Sequence, residues 1–253
     1  MIFSSISKAF KKIVSNPLVL LPILITIMAA QVINYFTSWV LERPLTDMIL
    51  YGNIFTEGDP MALFISNYPV EILVMLLTGI IGLTFFVVSF VILSKIANGK
   101  SFSSATDESV KEIGKSFAMV IVIFLALLAL TGIFYMLTGI IASIPLLAII
   151  VQWIIMIIVA IISFKLVFVF SALAEKKSTT KSAIADSWKF TNGKTLKTIF
   201  FLLILCAILI VFAFAANVAT GFLGDANEAI INSAGEVIFT TFLGLALAYY
   251  YYS

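Results

Sequence analysis

A chain of 253 residues that is 62% hydrophobic, only 11% charged and has a mean hydropathy of +1.18 cannot clothe a soluble globule, because soluble domains carry roughly 25% charged residues. Part of its solvent is lipid, so the chain is an all-α polytopic membrane protein; a β-barrel would show short alternating segments instead of long apolar runs. With no histidine and a single cysteine, Cys206, it lacks the commonest general base, the commonest metal ligand and any internal disulfide.

In chain order, the first element is an N-terminal helix. Ile2, Phe3, Ile6, Phe10, Ile13 and Val14 recur at helical spacing, with Lys8, Lys11 and Lys12 off that stripe. The first apolar run covers 18–41. Lysines followed by apolar residues mimic a signal peptide, but the run continues past Gln31 to Leu41, so it is read as a retained span. An acidic, aromatic-rich connection over 42–69 is too apolar for a free loop and is expected to hold short helices. Further spans are predicted at 70–97, 117–140, 146–170, 196–219 and 236–252, each long enough to cross roughly 30 Å of hydrocarbon. Pro145 separates the third from the fourth.

The charges sort by connection. Every lysine lies in or beside the N-terminal segment, the 95–115 connection or the 165–197 connection. Acids dominate the alternate connections, with Glu42, Asp47, Glu57, Asp59 and Glu71 in one and Asp225, Glu228 and Glu236 in the other. The positive-inside rule then places both termini in the cytoplasm, as an even number of spans requires.

Two basic connections resemble each other. ATDESVK at 105–111 and AIADSWK at 183–189 share A-x-x-[DE]-S-φ-K, and the N-terminal ISKAFKKI is a looser copy. Each reads as a short amphipathic helix in the cytoplasmic interface, followed by two spans. Three units result, at 1–97, 98–174 and 175–253. Ser178, Thr179 and Thr180 offer N-caps for the third of these helices, and Asn192-Gly193 a turn at its end. Even-numbered units all point the same way, which argues against inverted repeats.

Candidate lipid-contacting residues follow from this pattern: Lys8, Lys11, Lys12, Lys111, Lys115, Lys181, Trp188, Lys189, Lys194 and Lys197, with the tryptophan at headgroup depth and the lysines toward an anionic inner leaflet. Gln31, Asn34, Gln152 and Asn217 are candidates to line a polar cavity, although interhelical hydrogen bonding is the simpler use of such residues. Lys165 reads as a snorkelling side chain, Glu71 and Glu236 as outer-interface acids, and Tyr249 to Tyr252 as an aromatic belt. No phosphate loop, HExxH, CxxC or nucleophile elbow occurs. No catalytic residue, metal site or cofactor is therefore expected, and nothing points to nucleic acid.

Residues 186–194, DSWKFTNGK, follow a span that ends FVFSALAE. This stretch, together with Asn16-Pro17-Leu18 and Leu21-Pro22 before the first span, resembles the glycerophosphoryl diester phosphodiesterase membrane domain. That six-span domain also occurs alone in archaeal and bacterial integral membrane proteins. The resemblance implies the six-span topology and no activity, because the phosphodiesterase of the fused proteins is a separate soluble barrel with catalytic histidines. Three functions remain open: a non-enzymatic scaffold or accessory subunit binding anionic lipid and a membrane-protein partner or second copy; a transporter of an apolar or amphipathic solute; and a lipid-headgroup enzyme. The last requires Asp107, Glu108, Glu112, Glu175 and Asp186 to converge.

Overall fold

A computed structural model describes residues 2–50, 68–141, 145–175, 178–223 and 228–253. The helices are α1 (Ile2–Ser15), a 3-10 turn (Pro17–Leu20), α2 (Leu21–Leu50), α3 (Pro69–Ala97), α4 (Phe102–Lys111), α5 (Ile113–Ile141), α6 (Pro145–Leu166), α7 (Val169–Leu173), α8 (Thr180–Gly193), α9 (Thr195–Leu223) and α10 (Glu228–Tyr251). No strand occurs among the described residues. Six helical stretches are long and apolar enough to cross a membrane: Pro17–Glu42, Pro69–Ala97, Ile113–Leu130, Trp153–Leu173, Thr195–Val218 and Ile230–Tyr251. The chain is a multi-pass α-helical membrane protein.

Two helices differ from expectation. Helix α2 continues beyond Leu41 to Leu50, taking up the start of the acidic connection, while residues 51–67 of that connection lie outside the described residues. Helix α10 begins at Glu228, about two turns before the predicted span, because Ile230 and Ile231 extend its apolar character across Asn232 and Glu236.

The helices are arranged around their lysine-rich end. Helices α3, α7 and α10 meet at the centre, α7 being the short continuation of α6, while α5, α6 and α9 lie outside and α2 packs on α3 and α10. Each short amphipathic helix packs on the second span of the preceding pair: α4 on α3, α8 on α6 and α7, and α1 on α10. The N-terminal helix thereby closes a ring onto the C-terminal one.

Buried side chains gather at this basic end. Ile23, Leu93, Ile96, Phe168, Phe201, Leu245 and Tyr250 form its centre. At the opposite end Tyr35, Trp39, Leu73, Leu77, Phe214 and Val218 are exposed and would face lipid. Hydroxyls help join α2 to α3: those of Thr26 and Ser89 lie 2.7 Å apart and approach the Pro22 carbonyl at 3.0 and 2.9 Å. Such bonds hold membrane helices together where apolar burial cannot, since lipid is as apolar as leucine.

Candidate functional site: the ring of amphipathic helices

The ring is built on small residues. Ser5 and Ala9 in α1, Ala105 and Ser109 in α4, and Ala183, Ser187 and Thr191 in α8 are all buried. The alanine and serine shared by 105–111 and 183–189 are thus the positions that let α4 and α8 approach their supports closely. Ser109 donates to the Ala105 carbonyl at 2.7 Å, whereas Ser187 donates across to Lys165 O at 2.8 Å, tying α8 to α6. Ser101 caps α4. Thr179 caps α8 in a reciprocal box, its hydroxyl accepting from Ser182 N–H at 3.2 Å and its own N–H donating to Ser182 Oγ at 2.7 Å.

The predicted apolar stripes are split by this packing. Ile2, Ile6 and Ile13 pack on the core, while Phe3, Phe10 and Val14 stay exposed, Phe3 at 73%. In α4 and the start of α5, Phe102 packs inward, and Val110, Ile113 and Phe117 are exposed. In α8, Ile184 packs inward and Trp188 is 41% exposed. Each amphipathic helix therefore has three faces: small residues toward protein, large apolar residues outward, and lysines.

Lys8, Lys11, Lys111, Lys181, Lys189 and Lys197 are exposed, and Lys12, Lys115 and Lys194 are half-buried. Lys111 pairs with Asp107 at 2.7 Å, and Lys194 sits over the Phe190 ring at 4.3 Å. Lys165 has partners beyond a snorkelling role: its Nζ donates to Asn192 Oδ1 and lies 5.8 Å from the Trp188 ring. The Asn192-Gly193 turn is not left-handed. Lys194 N–H reaches back to Thr191 O, and α9 starts two residues after α8 ends.

Lys95 was counted in the sequence only among basic residues, yet it is the most deeply placed charge at this end, 2% exposed. Its Nζ lies 2.8 Å from Glu112 and 3.7 Å from Glu108; Lys100 pairs with Glu108, and Lys115 with Glu112 at 2.9 Å. Gly99 makes this possible. At φ 90° it takes left-handed backbone, Lys100 N–H bonds Lys95 O at 3.1 Å, and the chain folds back so that α4 lies along α3. The spacing of Glu108 and Glu112, one helical turn apart, was a signal that both face one target.

Burial would raise the Glu112 carboxyl, but hydrogen bonds from Lys95 and Lys115 outweigh it and hold the group below the usual carboxylate range. A carboxylate depressed on folding stabilises the fold above its unfolded value of about 4.3, and that contribution is lost as pH falls through the lower folded value. The protection factors of α4 amides, taken relative to the intrinsic exchange rate at each pH, are accordingly expected to fall more than those of α9 when the pH is lowered from 7 to below 4. An equal fall in the two helices would remove Glu112 as the cause.

The terminal tyrosines are not simply a belt. Tyr250 is fully buried, stacking on Phe201 with centroids 4.2 Å apart and on Phe168 at 5.7 Å. Tyr251 donates to Glu175 at 3.2 Å and Tyr252 to Ser171 O at 3.0 Å. They lock α10 to α7, because the last turn of α10 falls on the centre of the ring. Beside them an open cleft of 520 Å³ is lined by Glu175, Asp186, Lys189, Phe190, Lys194 and Tyr251.

The polar span residues are dispersed. Gln31 donates to Ser233 at 3.5 Å, Asn34 is exposed, and Asn217 donates to Ala213 O at 2.8 Å. The Gln152 side chain lies outside the described residues. A 410 Å³ cavity between α3, α5, α6, α7 and α10 is walled by apolar residues such as Phe86, Phe90, Met119 and Phe170, with Ser163 its single polar side chain among the described residues and Ile184 of α8 in its lining. The five carboxylates of the basic end do not form one cluster: Asp107, Glu108 and Glu112 pair with lysines, while Glu175 and Asp186 line the cleft. No grouping of three or more metal-ligating side chains occurs among the described residues. No family model, curated protein or solved structure matches the chain.

Proposed function

We propose that the chain is a non-enzymatic membrane protein whose ring of amphipathic helices binds anionic lipid on the cytoplasmic leaflet. The observation that carries this reading is the placement of exposed lysines beside exposed large apolar residues on the ring: Lys8 and Lys11 with Phe3, Phe10 and Val14; Lys111 with Val110; Lys181 and Lys189 with Trp188. An amphipathic surface of that composition seats at the headgroup boundary, its apolar residues among acyl chains and its lysines on anionic headgroups. The positive-inside rule orients the ring, and both termini, toward the cytoplasm.

The apolar cavity supports lipid over a polar solute. Ile184 in its lining is on the same face of α8 as Trp188, one turn away, so a headgroup held by α8 has an acyl-chain slot within reach. Three repeated units and kinship with the phosphodiesterase membrane domain belong to this reading, resting on the motif at 105–111, 183–189 and 186–194. The mixed-charge cleft of Glu175, Asp186, Lys189 and Lys194 would serve as the docking place for a protein partner.

Trp188→Ala combined with Lys189→Glu is expected to weaken retention of phosphatidylglycerol about tenfold or more, each basic residue near an anionic surface contributing about 1 kcal/mol. Helical content should stay unchanged. Native mass spectrometry of wild type and variant in matched lipid reads this directly. Equal phosphatidylglycerol retention in a folded variant overturns the proposal, and equal retention of phosphatidylcholine by the wild type removes the anionic preference.

A further inference from the structure

A second cavity lies away from the ring, between α9 and α10. Its volume is 250 Å³ and its walls include Leu209, Phe212, Ala213, Asn232, Glu236 and Phe239. Among the described residues Glu236 is its one ionisable group.

Glu236 sits deep. It precedes Tyr251, whose hydroxyl reaches Glu175 at the basic end, by fifteen residues of continuous helix, about 22 Å at 1.5 Å per residue. In a hydrocarbon layer roughly 30 Å thick that is well past the midplane and short of the far interface. The span was expected to start at 236, where the longest apolar run begins; the helix starts two turns earlier. Charged groups at such depth are rare, face cavities, and mark ligand or ion paths. Glu108 and Glu112 are paired with lysines, whereas no basic side chain among the described residues pairs with Glu236.

The walls narrow the ligand. One carboxylate and the Asn232 amide offer too few oxygens for calcium, which takes 6–8. An anion would meet the carboxylate and find no donor of positive charge. Phe212 and Phe239 lie against each other in the wall, with centroids 6.1 Å apart and planes at 55°, and aromatic faces attract cations electrostatically. A carboxylate, an amide and two aromatic rings in an otherwise aliphatic wall match a charged nitrogen on an apolar body. We infer that this cavity binds an apolar organic monocation of the aryl- or alkylammonium class, its charge on Glu236 and its body against the wall formed by the Phe212–Phe239 pair. At 250 Å³ the cavity is below the usual range for drug-sized ligands, about 300–1,000 Å³, so a single-ring body fits best.

Tritiated benzyltrimethylammonium is the probe, measured by equilibrium binding to the full chain in phosphatidylcholine nanodiscs, with protein-free discs as blank. Saturable binding is expected. Glu236→Gln should weaken it by about tenfold or more, and Phe212→Ala several-fold. Glu71→Gln, in the first turn of α3, should leave it unchanged. Non-saturable binding, or equal affinity in folded Glu236→Gln, overturns the inference. Should Glu236→Gln fail to fold, the neutral isostere neopentylbenzene decides: if the wild type takes it as tightly as the cation, charge recognition is refuted.

Discussion

Lys95→Met is expected to lower the stability of the basic end by about 2–3 kcal/mol. Removing one partner of a buried ion pair usually costs about 3–5 kcal/mol, and partial exposure of both glutamates here, 33% for Glu108 and 26% for Glu112, reduces that. The methionine fills the same space, so the loss is electrostatic: two carboxylates brought to one point lose the ammonium between them, while Lys100 stays on Glu108 and Lys115 on Glu112. A large drop in thermal midpoint in detergent, partly restored when Glu112→Gln is added, is the expected pattern. A double variant no more stable than Lys95→Met alone would show that the network does not act as one unit.

The second large effect is expected at Gly244. A Cβ there would lie 2.8 Å from Leu93 Cδ1 and 3.3 Å from Phe90 Cε1, both on α3 and both buried. Alanine forces only the tip of Leu93 aside and should cost about 1 kcal/mol, while leucine must separate α3 from α10 at the centre of the bundle and should cost about 3 kcal/mol or more. Gly79, also on α3, has nothing within 4 Å of its Cβ position, so Gly79→Leu should be nearly neutral in lipid. Denaturation of the three variants in detergent measures the contrast. Equal destabilisation by Gly244→Leu and Gly79→Leu would mean that the helix crossing is not the determinant.

The number of helices and the location of the short amphipathic ones were legible because hydropathy and lysine placement are local properties that add along the chain. Which side of each helix faces protein was not. Phe3 and Ile6 are equally apolar, yet one is exposed and the other packs on the core; lipid and protein interior reward both alike, so hydropathy cannot separate them. The separating signal was the small residue: Ala105 and Ala183 were read as part of a repeated motif when their role is close approach. Lys95 escaped notice because its partners become neighbours only through the reversal at Gly99. Glu236 was placed by the edge of an apolar run, whereas helix ends follow backbone hydrogen bonding, which tolerates an acid within the helix. Tyr250 was read as interfacial from its position near the end of the chain, but α10 ends at the centre of the ring.

The closure of α1 onto α10 also bears on the order of events during synthesis. The helix that leaves the ribosome before any span has its packing surface on the helix that emerges after the other five. Until α10 inserts, the face of α1 that carries the buried Ala9 is without the helix it packs on, so α1 waits at the membrane surface, held there by its own amphipathic character. A chain halted before residue 228 should leave Ala9→Cys open to a water-soluble thiol reagent that the full chain excludes, since Ala9 is buried there, and the step from one to the other would time the moment the ring is fastened.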